Sequence, residues 1–544
     1  MKKLITHHSA LFTAVSAALI TLSFGAQAQR PVIEEVMVTA QKREQNAQDI
    51  PVALTAIDAQ TIEEAGIRST QDVVQLAPSL TVNEGNHKQT SSFSIRGIGT
   101  NVYGTGVEQG VALLVDDVAA VQPGQTMGSL VDIERIEILR GPQSTLFGKN
   151  ASAGVISITT KAPSDVFEAS VEATATDEQE TAVVASVSGP LNDDLRYRLT
   201  GKWSDRDGYI DNLTPGVDDK NDARIRNTRA KLDWDASDTI TMEFGAYYMF
   251  DKSRCCAYTW ESLTPDTSLL GLPIGYPADG IKAGDDNFKF RGEDGPYSKS
   301  ETTGGYVRLN AELGEFELVS ITALDNWKYD VREDVDFSDL DVLGFFTGGQ
   351  EHGGWYSTSD INTDFFSQEL RLLSPDHEKY EYLVGLYYAD AETKQDFFRN
   401  ATVALSDFYT RSETESFSVF GQFTWRFSEA TSANFGLRWL NEQISADSIN
   451  YLDTVPEKQS GNDSDDPVVG KVSLQHFLNE EVMAYVSYAH GYKGQAFDLV
   501  GGNFDEFKAK NPVGSESSDA YEIGVKYAVG SAPAVECHRV LYHL

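Results

Sequence analysis

The chain has 544 residues, 41% of them hydrophobic, which allows several soluble domains or one large barrel and argues against a helical membrane protein. With 82 acidic residues against 44 basic ones, the net charge of −38 excludes a nucleic-acid binder, since phosphate recognition needs clustered Lys and Arg. Carboxylates solvating polar loops and a wet lumen account for that charge better than attraction of cationic ligands does. Three cysteines, Cys255, Cys256 and Cys537, are too few for a disulfide framework, leaving at most a vicinal bridge.

Lys2 and Lys3 precede an apolar run over 10–24 that is too short to span a bilayer as a helix, and Ala26-Gln27-Ala28 follows it. This order predicts a secretory signal peptide over 1–28 and therefore export. Residues 29–48 are polar apart from Val36-Met37-Val38. From 49 to 163 the pattern is that of a small α+β domain. Segments 51–57 and 93–98 look extended, and 111–116, 133–139 and 155–160 read as strands. Segments 59–67 and 69–76 have helical spacing, and Pro78 stops the second.

From 164 onward helical signals vanish and alternation takes over. Leu195, Tyr197, Leu199 and Trp203 alternate with Arg196, Arg198, Thr200 and Lys202. Phe417, Val419, Phe423, Trp425 and Phe427 alternate with Ser416, Ser418, Gln422, Thr424 and Arg426. Period two with one polar face suits either a soluble antiparallel sheet or a membrane barrel. Strands are predicted at 166–177, 180–189, 195–206, 225–235, 239–251, 303–313 and 316–331. Further strands are predicted at 363–373, 379–395, 415–427, 431–446, 466–477, 481–493 and 519–529. Short connections (190–194, 236–238, 314–315) alternate with long ones (207–224, 252–302, 332–362). A soluble sandwich has no reason to place every long loop at one end, whereas a barrel with short periplasmic turns and long surface loops does. Trp203, Trp234, Tyr247, Tyr248 and Trp439 fit interfacial girdles.

Three segments carry a family resemblance. Glu34-Glu35-Val36-Met37-Val38-Thr39-Ala40 resembles a TonB box followed by its polar linker. The run 133–161, IERIEILRGPQSTLFGKNASAGVISITTK, is similar to the most recognisable stretch of TonB-dependent receptor plugs. Ser94-Ile95-Arg96-Gly97, together with 111–117, matches two earlier plug strands. His490-Gly491-Tyr492-Lys493 and Tyr521-Glu522-Ile523-Gly524 resemble barrel segments of the same family, so the resemblance spans about 33–529. It implies a ferric siderophore-type receptor with an α+β plug domain (49–163) followed by a transmembrane antiparallel β-barrel (164–529). About fourteen strands are read, where such barrels hold about 22. The implied partners are periplasmic TonB acting through the box, outer-membrane lipid, the barrel assembly machinery, and an iron chelate or similar small ligand. A ferric siderophore leads; haem, cobalamin or a glycan stay open. The expected function is TonB-dependent active uptake across the Gram-negative outer membrane. A passive porin, which would lack the plug, and a secreted β-rich adhesin or hydrolase are the alternatives. A signal-transducing receptor needs a further domain before the box, for which 29–32 leave no room.

These residues suit those roles. An exposed β-prone strand at the box can add to the edge of a partner's sheet, its affinity coming from main-chain hydrogen bonds. By resemblance, Arg96 and Arg140 of the plug motif face the barrel wall and pair with carboxylates, for which arginine's fork is suited. Gly97 and Gly141-Pro142 mark turns, Gly148 closes a loop and Gly154 opens a strand. Candidate ligand contacts are the loops at 86–92 and 101–110 and the aromatics Tyr258, Trp260, Trp355 and Tyr356. No enzyme and no cofactor are expected. Gly141 and Gly148-Lys149-Asn150 miss the spacing and the Ser or Thr of a phosphate loop. The histidines lack zinc-ligand spacing. Asp334, Asp336, Asp339 and Asp341 lack a calcium-loop frame and read as solvated loop residues. Alternation stops near Gly530, so 530–544 (GSAPAVECHRVLYHL) reads as an aberrant tail on a short barrel. An open sheet in lipid would expose unpaired backbone edges, so this chain alone is not expected to insert.

Overall fold

The computed structural model describes residues 37–101, 104–177, 179–262, 280–529 and 532–543, with short strands at 268–269 and 272–273. The expected signal peptide and Glu34, Glu35 and Val36 lie outside the described residues. The N-terminal domain is built on a five-stranded mixed sheet. Its order is Leu54–Asp58, Ile133–Arg140, Gly154–Thr160, Val111–Val115, Val118–Ala119. Gly154–Thr160 runs parallel to Val111–Val115 and antiparallel to Ile133–Arg140. One face packs on Ile62, Val73, Leu80 and Phe93, the other on Val38, Ile50, Val52 and Ala151. Coverage on both faces explains why these strands read as unbroken apolar runs. Helix Ala59–Glu64 starts where Asp58 accepts a hydrogen bond from Thr61 N (2.7 Å), an N-cap. The second predicted helix is a 3-10 turn, Gln71–Gln75. The extended run at 93–98 is broken by Arg96 (φ +54°) and Gly97 (φ +79°) into Ser92–Ile95 and Ile98–Gly99.

A sixteen-stranded antiparallel sheet follows, running from Glu168–Ala175 to Ala532–His543 with sequence neighbours paired. Every strand read from alternation is present. No helix among the described residues is long and apolar enough to cross a membrane. The sheet is inside-out: Phe417, Val419, Phe435, Leu437 and Trp439 are exposed, whereas Ser416, Ser418, Asn434 and Arg438 are buried toward the plug. An exposed apolar face and a buried polar one fit a wall in lipid, not a soluble sandwich. Trp203, Trp234, Tyr248 and Trp439 point outward as girdle residues. Tyr247 does not: alternation forbids neighbours Tyr247 and Tyr248 from sharing a face, and the Tyr247 hydroxyl donates inward to Asp325 (2.8 Å).

Two strands of the wall, Lys458–Asp465 and Ala532–His543, lie outside the sequence reading. Lys458–Asp465 pairs with the outer half of Thr431–Asn450, and Val468–Asn479 pairs with its inner half. They are one strand interrupted at Asp466-Pro467, because proline has no N–H to give the ladder. Ala532–His543, in the segment read as an aberrant tail, pairs antiparallel with Glu516–Val529. Cys255 and Cys256 form a vicinal disulfide, and Cys537 is free.

Candidate functional site

The domain sits against the polar face of the sheet, whose first and last strands are not paired with each other among the described residues, so the candidate site is its junction with the wall and the two ends of that junction. On the side of the short turns, the expected exposed strand is not free where it is described. Met37–Val38 pairs with Gln45–Asn46, and Val38 and Ala40 are buried beside Ile50, Val52 and Leu139. The apolar run at the box is thereby tucked under the plug sheet. Thr39 donates from N and Oγ1 to Glu137 Oε1 (3.0 and 3.2 Å). Next along, Lys42 Nζ donates to Asp117 Oδ1 (2.8 Å). Arg43 Nη2 donates to the carbonyls of Ser374 (3.0 Å) and Tyr382 (2.7 Å) at a short barrel turn. Lys526 Nζ of the wall donates to the Ala47 carbonyl (2.8 Å). The linker is thus stitched to both plug and wall.

Charge fixes the plug to the wall in both directions, with carboxylates and cations contributed from each side. Asp132 accepts from Arg198 Nε (2.6 Å) and Nη2 (2.5 Å) and from Thr200 Oγ1 (2.5 Å). Asp116 meets Arg229 (3.0 Å) and Lys231 (3.4 Å), and also accepts from Thr160 N (2.9 Å). Asp117 is shared between Lys42 of the linker and Arg308 of the wall (2.9 Å). Burial opposes ionisation of Asp117, but Lys42, Arg308 and Arg371 outweigh it and hold the carboxyl far below its usual range. Other pairs run the opposite way: Arg96 Nη1 donates to Glu522 Oε2 (2.8 Å) on the wall and to the Tyr542 hydroxyl (2.9 Å), Lys149 meets Glu442 (3.0 Å), and Lys88 meets Asp251 (2.8 Å). Arg140 Nη2 donates to Thr55 within the plug (2.9 Å). Pro142 abuts Gly491 of the wall, where a methyl group would come within 2.9 Å of it. Reading the plug arginines as the locks left out the three aspartates. Their signal was present: Asp116-Asp117 ends a buried strand, and Arg198, Arg229, Lys231 and Arg308 sit on polar faces of alternating strands.

At the side of the long loops the four candidate aromatics do not share one role. Tyr258 is exposed, donates to Asn86 Oδ1 of the plug apex (3.1 Å) and meets Phe337 edge-on at 5.5 Å. Trp260 is half-buried, its carbonyl accepting from Asn287 Nδ2 (3.2 Å). Trp355 is packing, buried against Val342, Leu343 and Ala401. Tyr356 lies under the Arg332 guanidinium at 4.1 Å. Asp336 and Asp339, expected to be solvated, instead tie surface loops together, while Asp334 accepts from Asp336 N (3.2 Å) and Phe337 N (2.7 Å) of its own loop. Asp336 is buried and accepts from Trp355 N (2.5 Å), and Asp339 accepts from Thr214 (3.0 Å) and Arg291 (3.2 Å). Nearby Glu293 accepts from Gly354 N (2.5 Å). Among the described residues no His, Cys, Asp or Glu group is arranged to hold a metal.

Burial, reinforced by neighbouring carboxylates, raises the Glu293 and Asp336 carboxyls above their ordinary 4.5 and 3.8. An acid raised in the folded state costs nothing while protonated in both states, and its penalty grows as pH rises through the raised value. Limited proteolysis within 335–355, normalised to a denatured control, should therefore accelerate from pH 4.5 upward. Glu293→Gln should flatten that rise, and a rate independent of pH in the native protein would contradict it.

Residues 46–155 match the family model described as TonB-dependent Receptor Plug Domain, and 251–532 match TonB dependent receptor-like, beta-barrel. The pesticin receptor of Yersinia enterocolitica is 25% identical over 525 residues, covering 94% of this chain and 71% of the relative. The iron-regulated outer membrane virulence protein of Vibrio cholerae serotype O1 is 30% identical over 219 residues, 37% of this chain and 31% of that one. The ferric yersiniabactin uptake receptor FyuA from Yersinia pestis superimposes with a TM-score of 0.76 at 21% identity, covering 90% of this chain and 72% of FyuA. The ferric citrate transporter FecA gives 0.68 at 15%, covering 91% and 70%. The matched plug, the matched wall and the ionic seat between them agree: the chain belongs to the TonB-dependent receptors of the Gram-negative outer membrane.

Proposed function

We propose that this receptor carries a ferric siderophore inward, powered by TonB gripping the segment around Val36. The observation that carries the reading is the double engagement of Asp117, held from the linker by Lys42 and from the wall by Arg308. A pull on the box first extracts Val38 and Thr39, then draws Lys42 away from Asp117. The plug loses one of the cations at that seat while the barrel stays rigid. Ligand arrives at the opposite end, over the plug apex at 86–92 and 104–110, with Tyr258 beside it. The siderophore assignment is supported by relatives and neighbours named for iron, ferric yersiniabactin and ferric citrate. A passive porin is not favoured, because a plug sits against the wall.

Proline at Val36 removes an N–H that strand addition needs and leaves buried Val38 in place. Val36→Pro is expected to abolish energy-dependent uptake while ligand binding to chilled, de-energised cells is unchanged. Uptake at the native rate would sink the role given to the box.

A further inference from the structure

Between the plug and the wall strands Tyr380–Arg399, Ser406–Ser428 and Thr431–Asn450 lies a cavity of about 100 Å³. A column of hydroxyls, Ser412, Thr414, Ser416 and Ser418, lines its barrel side, and Arg438 is also in its lining. Arg438 is 2% exposed. Its Nη2 donates to Ser418 Oγ (2.9 Å) and its Nη1 to the Leu146 carbonyl (3.5 Å). Its Nε, like the Thr105 Oγ1 in the same lining, has no hydrogen-bond partner among the described residues. The guanidinium also lies over the rings of Phe420 (4.9 Å) and Tyr387 (5.4 Å).

No carboxylate lies within ion-pair distance of Arg438 among the described residues, Glu369 acting on it only from farther away, whereas Lys149 in the same lining is met by both Glu108 and Glu442. Buried charges are normally paired, and an arginine needed only for packing is replaceable by an apolar side chain. A guanidinium with a spare donor, facing hydroxyls in an enclosed space, is instead suited to a planar oxyanion. The plug covers this group directly: a methyl on Gly148 would come within 2.9 Å of Arg438 Nη2. Arg438 Nε is already without a partner in the resting structure, and withdrawal of the loop around Leu146 and Gly148 would widen the space at the fork.

We propose that Arg438 is an anion-binding residue between plug and wall, taking carboxylate oxygens of the solute as it passes. The identity of the solute rests on the uptake reading; the anion site does not. Crystals of the whole receptor soaked in sodium bromide should show an anomalous peak against the guanidinium, absent in Arg438→Met. Sodium formate should raise the melting temperature of the native protein, and this response should be lost in Arg438→Met. If that variant fails to fold, Arg438→Lys, which keeps the charge and loses the fork, should retain bromide and lose the formate response. No bromide peak in the native protein, or equal formate responses in native and variant, would overturn the assignment. Both readouts are independent of TonB, so failure of the uptake reading is told apart from failure of this one.

Discussion

Replacing Asp116 by alanine is expected to destabilise the seated plug by about 4 kcal/mol, within the usual cost of removing one partner of a buried ion pair. The Asp116 side chain is 2% exposed and faces Arg229 and Lys231, themselves only 15% and 5% exposed. Alanine leaves both cations in place with their shared counter-charge gone. It also removes the acceptor for Thr160 N (2.9 Å) and Thr160 Oγ1 (2.7 Å), which close the end of the central plug strand. Lys231 retains Glu243 at 3.4 Å, which keeps the loss from being larger. Hydrogen exchange across Val111–Val115 in the intact receptor measures it. A change below about 1 kcal/mol, the worth of a surface pair, would mean that the interface is wet.

Gly154→Ala should be comparably severe for a steric reason. Gly154 has φ +155°, and a methyl there would overlap the Leu139 carbonyl oxygen and lie 2.7 Å from Ile95 Cδ1. Overpacking and backbone strain each cost about 1–3 kcal/mol, so a combined loss of about 4 kcal/mol is expected. The plug should become protease-sensitive while the barrel keeps its heat-modifiable migration. Gly66→Ala is the control: φ is +67° with open space around it, so only the conformational cost of about 1 kcal/mol applies. Equal protease sensitivity in the two variants would contradict the packing at Gly154.

Much of this architecture was legible because lipid imposes a strict pattern on a wall. Where one face meets lipid and the other a polar plug, residues such as Phe435, Leu437 and Trp439 alternate with Asn434 and Arg438. The outer ends of the strands were not legible. Strand Tyr356–Leu373 begins earlier than the read 363, and Ser406–Ser428 earlier than 415, because beyond the lipid both faces are polar and hydropathy no longer alternates. Lys458–Asp465, KQSGNDSD, is the extreme case. In the site, Arg96 could be anticipated from its motif, but its partner Glu522 lies 426 residues away. The same distance problem hid Asp132 from Arg198 and Gly148 from Arg438. The burial of Val38 was hidden for another reason: a short β-prone run reads alike whether it waits for a partner or is tucked under its own domain.

Solute should cross only when TonB draws on the plug. Delivery of radioactive iron from a panel of ferric siderophores, in cells where this protein is the only siderophore receptor, tests it with and without TonB. Saturable accumulation should occur for at least one chelate in cells with TonB, and surface binding alone in cells without it. Accumulation at the same rate in both would mean that solute passes without TonB.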